Sequence, residues 1–179
     1  MRTEPLKIII AGGGTGEHLF PALAIAVELK SRNETVSIHF VGSTSGIEAD
    51  SFKKDQLQHT LLNVRGFNRS FSLRGIVQNI GFPVRFLSAY IKSRKLITKF
   101  NPDVVVGTGG YASGLPLLAA VHKKIPTLIH EQNSFPGFTT RWLSTKVDRL
   151  CLSYEDSVNY LKKKSSSIRA ILSGKACLK

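Results

Sequence analysis

Short apolar runs alternate with amphipathic segments along most of the chain. Residues 6–11 form a first apolar run, and residues 35–41, rich in β-branched and aromatic side chains, form a second. Between them, residues 19–30 repeat apolar positions at the three- and four-residue spacing of a helix. Apolar runs of this length between helices are typical of strands in a parallel sheet that is covered on both faces.

The same alternation of strands and helices continues to residue 172 and predicts seven strands in all. The other predicted strands cover residues 59–64, 104–107, 126–130, 149–153 and 168–172, and the other predicted helices cover residues 47–54, 76–100 (interrupted at Pro83), 113–123, 138–144 and 155–163. Strands that alternate with helices in this way favour an α/β fold with an open, doubly wound, mostly parallel sheet of about seven strands.

The charge of the chain changes the picture from a generic domain to one with an anionic partner. Lys and Arg number 25 against 12 Asp and Glu, which gives a net charge of +13 on 179 residues. Residues 56–102 carry no acidic side chain and eight basic ones. An excess of this size indicates nucleic acid, an anionic membrane or a phosphorylated substrate as partner.

Neither a membrane span nor a disulfide framework is predicted. No apolar run approaches the ~18–20 residues that cross a bilayer. The N-terminus leads directly into the first strand, so we expect no signal peptide and a cytoplasmic protein. Cys151 and Cys177 fit neither a metal nor a disulfide pattern.

Three loops leave the carboxyl ends of predicted strands, where open α/β sheets bind their ligands. They are residues 12–18, 107–114 and 130–137. The first two are glycine-rich turns from strand to helix, and such turns present backbone N–H groups and a helix dipole to an anion. The third concentrates polar side chains. The sequence therefore predicts one site with two anion cradles and a row of hydrogen-bonding groups.

Two common nucleotide sites do not fit these loops. The first loop begins like a dinucleotide fingerprint, but Glu17 stands where the third glycine belongs. The predicted second strand ends at Val41 and is followed by no acidic residue for a ribose hydroxyl. The Walker lysine is also missing, which argues against a P-loop nucleotidase.

The three loops, in this order and spacing, resemble the MurG family of peptidoglycan glycosyltransferases. The family motif Gly-Gly-Thr-Gly-Gly-His corresponds to residues 13–18, with Glu17 in place of one glycine. Gly-Gly-Tyr-x-Ser-Gly is matched at residues 109–114 and His-Glu-Gln-Asn at residues 130–133. Trp142 and Leu143 fit as well. Members of this family transfer N-acetylglucosamine from its UDP derivative to lipid I, the undecaprenyl-diphosphate-linked muramyl-pentapeptide.

The resemblance covers only the N-terminal half of that family, whose enzymes have two Rossmann-like domains in the GT-B arrangement. It implies that residues 1–173 form the acceptor-binding domain and that residues 174–179 are a tail or the start of the linker to an absent donor domain. Such a chain would supply the acceptor- and membrane-binding half of the reaction that makes lipid II. It would not turn over alone, because UDP-N-acetylglucosamine binds the missing domain.

The resemblance also assigns roles to residues. The reaction is an inverting transfer, and His18 is the candidate base for the acceptor 4-hydroxyl, since histidine titrates near neutral pH. Alternatively, His18 only caps or packs at the helix start. The substrate-binding candidates, which are to hold the diphosphate and sugar of the acceptor, are Gly14, Thr15, Gly16, Glu17, Gly109, Gly110, Tyr111 and Asn133. No cofactor and no metal is expected.

The interpretation of four residues in the loops is weaker or conflicting. Glu131 and Gln132 are placed to contact the acceptor sugar, but Glu131 equally suits a structural role with backbone N–H groups. His130 is expected to be a satisfied residue at a strand end. Glu17 departs from the family glycine, and its carboxylate would repel a diphosphate by ~4 kcal/mol at ~4 Å and an effective dielectric of ~20.

A basic and apolar helix predicts membrane contact. Ile80, Val84, Leu87 and Tyr90 are spaced to share one helical face. The other residues that the family pattern assigns to this surface are Arg85, Lys92, Val121 and Lys124. They imply a peripheral protein on the cytoplasmic face of the inner membrane, held by its anionic surface. The alternative is that the apolar residues face the sheet, as we expect of Phe86, Ile91, Ile97 and Phe100.

A second function of a different class is a non-catalytic module that binds polyprenyl-diphosphate lipids or docks on a membrane. Nucleic-acid binding is not expected, because the aromatic residues do not interleave with the basic ones in a recognisable module.

Overall fold

The computed structural model describes residues 4–64 and 81–162, together with the backbone of residues 168–170. The strands are β1 Lys7–Gly12, β2 Ser37–Ser43, β3 His59–Leu62, β4 Val104–Gly109, β5 Thr127–Glu131, β6 Arg149–Leu152 and β7 Ile168–Ala170. The helices are α1 Gly16–Arg32, α2 Glu48–Lys54, α3 Phe82–Phe100, α4 Tyr111–His122, α5 Phe138–Leu143 and a 3-10 helix, Glu155–Tyr160.

All seven strands form one parallel sheet with the order β3-β2-β1-β4-β5-β6-β7. From β1 the chain builds outward to β3, then returns to the other side of β1 and builds outward to β7. The order therefore reverses between β1 and β4, and a doubly wound sheet opens its ligand crevice at this point. The predicted fold class is confirmed, and the crevice lies between the two glycine-rich loops.

The sheet is buried on both faces, as the apolar runs predicted. Along β1, Ile9 faces one core cluster, while Ile8 and Ile10 face another, because side chains alternate along a strand. The first cluster includes residues of α3 and α4, and the second includes residues of α1 and α2. Cys151 is buried in β6, and Cys177 lies outside the described residues.

Two helices begin closer to the glycine loops than the sequence predicted. Helix α1 starts at Gly16 rather than at residue 19, and α4 starts at Tyr111 rather than at residue 113. As a result His18 lies in the first turn of α1, and Tyr111 opens α4. The predicted helix over residues 155–163 is a 3-10 helix that ends at Tyr160.

Helix α3 presents an apolar outer face that differs in part from the predicted one. Val84 is 73% exposed, Leu87 58% and Ile91 44%, so the expectation that Ile91 faces the sheet is wrong. Tyr90 was predicted on the outer face, but it packs against the core and its hydroxyl lies 2.6 Å from His122 Nδ1. At 3.6 residues per turn, Ile91 lies about 20° from Val84 around the helix and Tyr90 about 120° away.

The other residues of the predicted membrane surface differ in their exposure and contacts. Ile80 lies outside the described residues, and Val121 is half-buried against the core. Lys92 donates its ammonium to the Leu61 carbonyl at 2.7 Å, and Lys124 is exposed. Phe86 and Phe100 pack against the core, and Ile97 is buried in it, as expected. Among the described helices, none is long and apolar enough to cross a bilayer.

A buried histidine in β2 makes the stability of the fold depend on pH. His39 is 7% exposed, its Nε2 lies 2.8 Å from Thr60 Oγ1, and its Nδ1 has no partner among the described residues. Burial, with a smaller contribution from His59, lowers the pKa of His39 to about 4.

We predict that the protein loses stability between about pH 6.5 and pH 4 through His39. Below pH 6.5 the unfolded chain takes up a proton on His39, whereas the folded chain does so only near pH 4. The contribution of neutral, buried His39 to stability is therefore fully present above pH 6.5 and is lost as the pH falls toward 4. The loss amounts to roughly 3 kcal/mol. Denaturant unfolding of the wild type and of His39→Gln at pH 7 and pH 4.5 checks this. The glutamine amide can bond to Thr60 but does not titrate, so the variant should lose less stability than the wild type between the two pH values.

Candidate functional site

The first and second loops meet because β1 and β4 are neighbours in the sheet. The Thr108 hydroxyl donates to the His18 carbonyl at 2.8 Å, which joins the end of β4 to the first turn of α1. Gly109 and Gly110 have φ angles of +109° and +73°. A Cβ atom on Gly109 would collide with the His18 ring, and one on Gly110 would overlap the carbonyl of Gly13. Both glycines are therefore required by backbone conformation and by the contact between the loops.

His18 is held in the crevice by groups from two other loops. Its side chain is 15% exposed, and its Nδ1 lies 3.2 Å from the Thr108 carbonyl oxygen and 2.6 Å from Gln132 Nε2. When Nδ1 carries the proton it donates to the Thr108 carbonyl, and Nε2 is left with a free lone pair. The imidazole is thus oriented so that Nε2, the nitrogen that can accept a proton, points away from β4.

The amide of Gln132, as it is oriented here, opposes this tautomer, because a donor nitrogen 2.6 Å from His18 Nδ1 requires that Nδ1 accept. Its Nε2 donates to the Thr108 carbonyl at 3.2 Å as well as approaching His18 Nδ1, while its Oε1 is buried without a partner among the described residues. A half-turn of this amide would bring Oε1 to His18 Nδ1, where it accepts the Nδ1 proton. In this structure Gln132 therefore contacts the imidazole of His18, and its orientation affects which nitrogen of that ring carries the proton.

Glu17 lies at the mouth of the site. Its carboxylate is 52% exposed, and its Oε1 lies 3.5 Å from His18 Nε2 and accepts a hydrogen bond from Thr15 Oγ1 at 3.2 Å. The Thr15 hydroxyl is therefore turned toward Glu17 and makes no capping bond to α1. A negative charge stands next to the nitrogen that faces the crevice.

The donors of the first loop are not all open to a ligand. The Gly14 N–H donates to Glu48 Oε2 at 2.9 Å, so the expectation that Gly14 offers its N–H to a diphosphate is wrong. Within the described part of the chain, the N–H groups of Gly16 and Glu17 have no acceptor. These groups open α1, where an anion is favoured by the unpaired donors and the helix dipole.

Glu48 is a residue of the site that the sequence analysis missed. It is the first residue of α2 and is fully buried, and its Oε1 accepts the Ser43 N–H at 2.6 Å. A Cβ atom on Gly13, Gly42 or Gly46 would overlap its side chain. The signal was present in the glycines at 42 and 46, which flank the end of β2 just before an acidic residue.

The third loop is built on Glu131. This residue is 3% exposed. Its carboxylate accepts hydrogen bonds from the Asn133 N–H at 3.2 Å, the Gly137 N–H at 3.0 Å and the Thr140 hydroxyl at 2.6 Å. These bonds support the structural reading of Glu131 rather than sugar contact. The Asn133 side-chain amide makes no hydrogen bond to the described residues, so it is available to a ligand.

His130, near the end of β5, is partly shielded from solvent, and this burial changes its pKa. Burial lowers its pKa, although the nearby charge of Glu131 and the neighbouring Gln132 side chain act in the opposite direction. Its Nδ1 is buried and lacks a partner among the described residues. His130 is therefore neutral at physiological pH.

An apolar cavity of about 390 Å³ lies beside the second loop, between α3, α4 and α5. Tyr111 is 43% exposed and stands on its wall next to Gly110. The other large side chains of the wall are Phe82, Arg85, Phe86, Phe138 and Trp142. In the described part of the chain, no cluster of His, Cys, Asp and Glu is arranged to hold a metal ion.

Known proteins match this chain over most of its length. It is 42% identical over 158 residues to the UDP-N-acetylglucosamine–N-acetylmuramyl-(pentapeptide) pyrophosphoryl-undecaprenol N-acetylglucosamine transferase of Natranaerobius thermophilus, a match that covers 88% of this chain and 42% of the relative. The enzyme of the same name from Christiangramia forsetii is 45% identical over 152 residues, which cover 85% of this chain and 40% of the relative. The chain thus spans about two fifths of the length of these relatives.

Solved structures share the fold. The crystal structure of Acinetobacter baumannii MurG matches with a TM-score of 0.75 and 27% identity, over 93% of this chain and 45% of that one. A UDP-GlcNAc 2-epimerase from Methanocaldococcus jannaschii matches with a TM-score of 0.65 and 19% identity, over 93% and 46%, and so shows the fold alone. The model of the glycosyltransferase family 28 N-terminal domain matches residues 8–151, which include all three loops. The chain therefore belongs to glycosyltransferase family 28 and carries its N-terminal domain.

Proposed function

We propose that this chain is the acceptor-binding half of an N-acetylglucosaminyltransferase of peptidoglycan synthesis, which transfers N-acetylglucosamine from UDP-N-acetylglucosamine to lipid I and forms lipid II. The names of its relatives supply the reaction and both substrates. The observation that carries the proposal is the orientation of His18, whose Nδ1 lies on the Thr108 carbonyl while Nε2 faces the crevice.

The acceptor diphosphate is proposed to lie at the start of α1. The free N–H groups of Gly16 and Glu17 donate there, and the helix dipole favours negative charge. Thr15 lies beside them, and the backbone of Gly109 and Gly110 forms the opposite wall of the crevice. Tyr111 and the amide of Asn133 are left to contact the acceptor sugar.

His18 then acts as the general base. Its Nε2 takes the proton from the 4-hydroxyl of the acceptor sugar while that oxygen attacks the anomeric carbon of the donor. The new bond joins the acceptor oxygen to the anomeric carbon, the bond from that carbon to the diphosphate breaks, and UDP leaves. The Thr108 carbonyl accepts the Nδ1 proton and stabilises the imidazolium that forms.

We place the donor site in the part of the longer relatives that this chain does not match. In this proposal the chain binds the acceptor by itself and transfers sugar only together with a donor domain. No step in it uses a metal or a cofactor.

The outer face of α3 is proposed to dock on the anionic surface of the inner membrane, on its cytoplasmic side, where a lipid-linked acceptor is found. Val84, Leu87 and Ile91 supply apolar area. Exposed basic residues on the following turns are Arg94, Lys95 and Lys99. Each adds about 1 kcal/mol at an anionic surface. Lys124 adds charge at the end of α4, whereas Arg85 borders the apolar cavity and Lys92 is bonded to the Leu61 carbonyl.

The second candidate, a polyprenyl-diphosphate-binding module without catalysis, is favoured by one observation. Glu17 lies 3.5 Å from His18 Nε2, in the space through which the acceptor hydroxyl must approach. A carboxylate there competes with the hydroxyl for the base and repels the diphosphate.

The base role of His18 is tested in a hybrid enzyme that joins this chain to the donor part of the Natranaerobius thermophilus relative. The hybrid should transfer N-acetylglucosamine to a soluble lipid I analogue. His18→Gln should lower kcat by roughly 10²–10⁴-fold, the contribution of a general base, with little change in KM. His122→Gln, at the far end of α4, is the matched control and should keep the wild-type rate. Equal rates for the hybrid and its His18→Gln variant would reject the base role, and a folded, inactive hybrid would favour the non-catalytic module.

The charge of Glu17 is tested by binding of inorganic pyrophosphate to the chain. Glu17→Gln and Glu17→Gly should each bind roughly tenfold more tightly, because a half-exposed charge at ~4 Å costs ~1–4 kcal/mol. Calorimetry in low salt measures the effect. Glu34→Gln, an exposed charge beyond the end of α1, should leave the affinity unchanged. Unchanged or weaker binding by both Glu17 variants would show that the carboxylate does not act on the anion.

Membrane docking is tested by co-sedimentation with vesicles that contain anionic phospholipid. Leu87→Glu should lower the partition coefficient at least tenfold, since it removes a Leu contribution of ~1.5–3 kcal/mol and adds a repelled charge. Val27→Glu is the matched control, because Val27 is 70% exposed on a different helix, α1. Equal loss in the two variants would mean that α3 is not the docking face.

A further inference from the structure

Glu48 joins two loops that are far apart in the sequence. One carboxylate oxygen accepts the Ser43 N–H at the end of β2, and the other accepts the Gly14 N–H in the loop after β1. The residue is completely shielded from solvent. A carboxylate in this position costs several kcal/mol unless hydrogen bonds replace its hydration. The two backbone donors provide that replacement, so the carboxylate and the loops stabilise one another.

The glycines around Glu48 leave room for this bridge. Gly13, Gly42 and Gly46 come from both loops, and each approaches the Glu48 side chain so closely that a Cβ atom would overlap it. Gly13 belongs to the motif from which an anion cradle was predicted. In the structure, the anion that it surrounds is the carboxylate of the protein itself.

This arrangement changes what the first loop offers to a ligand. The peptide N–H of Gly14 points to Glu48, away from the crevice, and its donor is therefore withdrawn from any bound phosphate. The next donors, the N–H groups of Thr15, Gly16 and Glu17, have no acceptor in the described residues. A buried negative charge behind Gly14 also disfavours a second anion there. Both effects direct an external anion to the start of α1, next to His18.

We infer that Glu48 is a positioning residue. Its carboxylate fixes the peptide of Gly14, and through the four-residue segment that follows it sets the placement of the α1 donors and of His18. The effect on sugar transfer rests on the proposed function, whereas the effect on the loop does not.

Glu48→Gln is the informative substitution because it preserves size. The amide oxygen can replace one carboxylate oxygen, but the amide nitrogen is a donor and cannot accept from the second backbone N–H. One of the two bridging bonds is lost, and one end of the bridge is left with an unpaired donor. The loss falls on the connection between the loops, while the packing around the side chain is retained.

The experiment follows backbone amides of the isotope-labelled chain by NMR. In the wild type, the Gly14 amide should exchange with solvent at least tenfold more slowly than the amides of Gly16 and Glu17, because it alone of the three is hydrogen-bonded. In Glu48→Gln, the signals of Gly14 and Ser43 should shift, and Gly14 should exchange at least tenfold faster. Wild-type exchange of Gly14 as fast as that of Gly16 would overturn the inference without any variant.

Glu131→Gln is the matched control. It removes a carboxylate of similar burial that also accepts backbone N–H groups, but in the third loop. It should shift the amides of Asn133 and Gly137 and leave Gly14 unchanged. An equal response of Gly14 in both variants would show that Glu48 contributes only general stability.

Binding of inorganic pyrophosphate then separates this inference from the proposed function. In the wild type, pyrophosphate should shift the amide signals of Gly16 and Glu17 and leave that of Gly14 in place, because Glu48 withdraws the Gly14 donor. In Glu48→Gln, the released Gly14 amide should respond to pyrophosphate as well. The same set of responding amides in both proteins would overturn the link from Glu48 to the donors of α1. Failure of the wild type to bind pyrophosphate would instead count against the proposed acceptor site, and the amide signals would still decide the role of Glu48 in the loop.

Discussion

The contact between the loops after β1 and β4 is the constraint on which the site depends. Neighbouring parallel strands lie about 4.8 Å apart, so two loops that leave the same edge must share a space that side chains would fill. Gly109 and Gly110 keep that space open, and the ring of His18 occupies it. The imidazole is therefore oriented by the edge of the sheet, through the Thr108 carbonyl, together with the Gln132 side chain of the third loop.

The two buried carboxylates explain how long, polar loops can keep a fixed shape at this edge. Glu48 binds backbone N–H groups of the loop after β1 and of the last residue of β2, and Glu131 does the same within the loop after β5. Each takes the place of the hydrogen bonds that irregular backbone would otherwise make with water. Their burial also removes two of the 12 acidic residues from the surface, which leaves the exterior more basic than the composition alone suggests.

The sheet, its crevice and the meeting of the three loops were predictable because they follow from local signals: apolar runs, glycine turns and the geometry of parallel strands. Glu48 was not, since its partner Gly14 lies 34 residues away and no periodic pattern connects them. The role of the Gly14 N–H was misjudged for the same reason. On α3 the spacing of apolar residues identified Val84 and Leu87 as exposed, but it placed Tyr90 on the same face. Tyr90 instead packs against the core, where its hydroxyl is hydrogen-bonded to His122.

The glycine-lined seat of Glu48 has a consequence for exchanging parts between proteins of this architecture. A glycine loop after the first strand is often regarded as a self-contained element that can be moved from one nucleotide- or phosphate-binding protein to another. Here the loop is only one half of a fitted pair, and its counterpart is the junction of β2 and α2. A graft that carries residues 12–18 without Gly42, Gly46 and Glu48 would bring a backbone whose shape the recipient cannot hold. The smallest transferable unit is the continuous segment from β1 to α2.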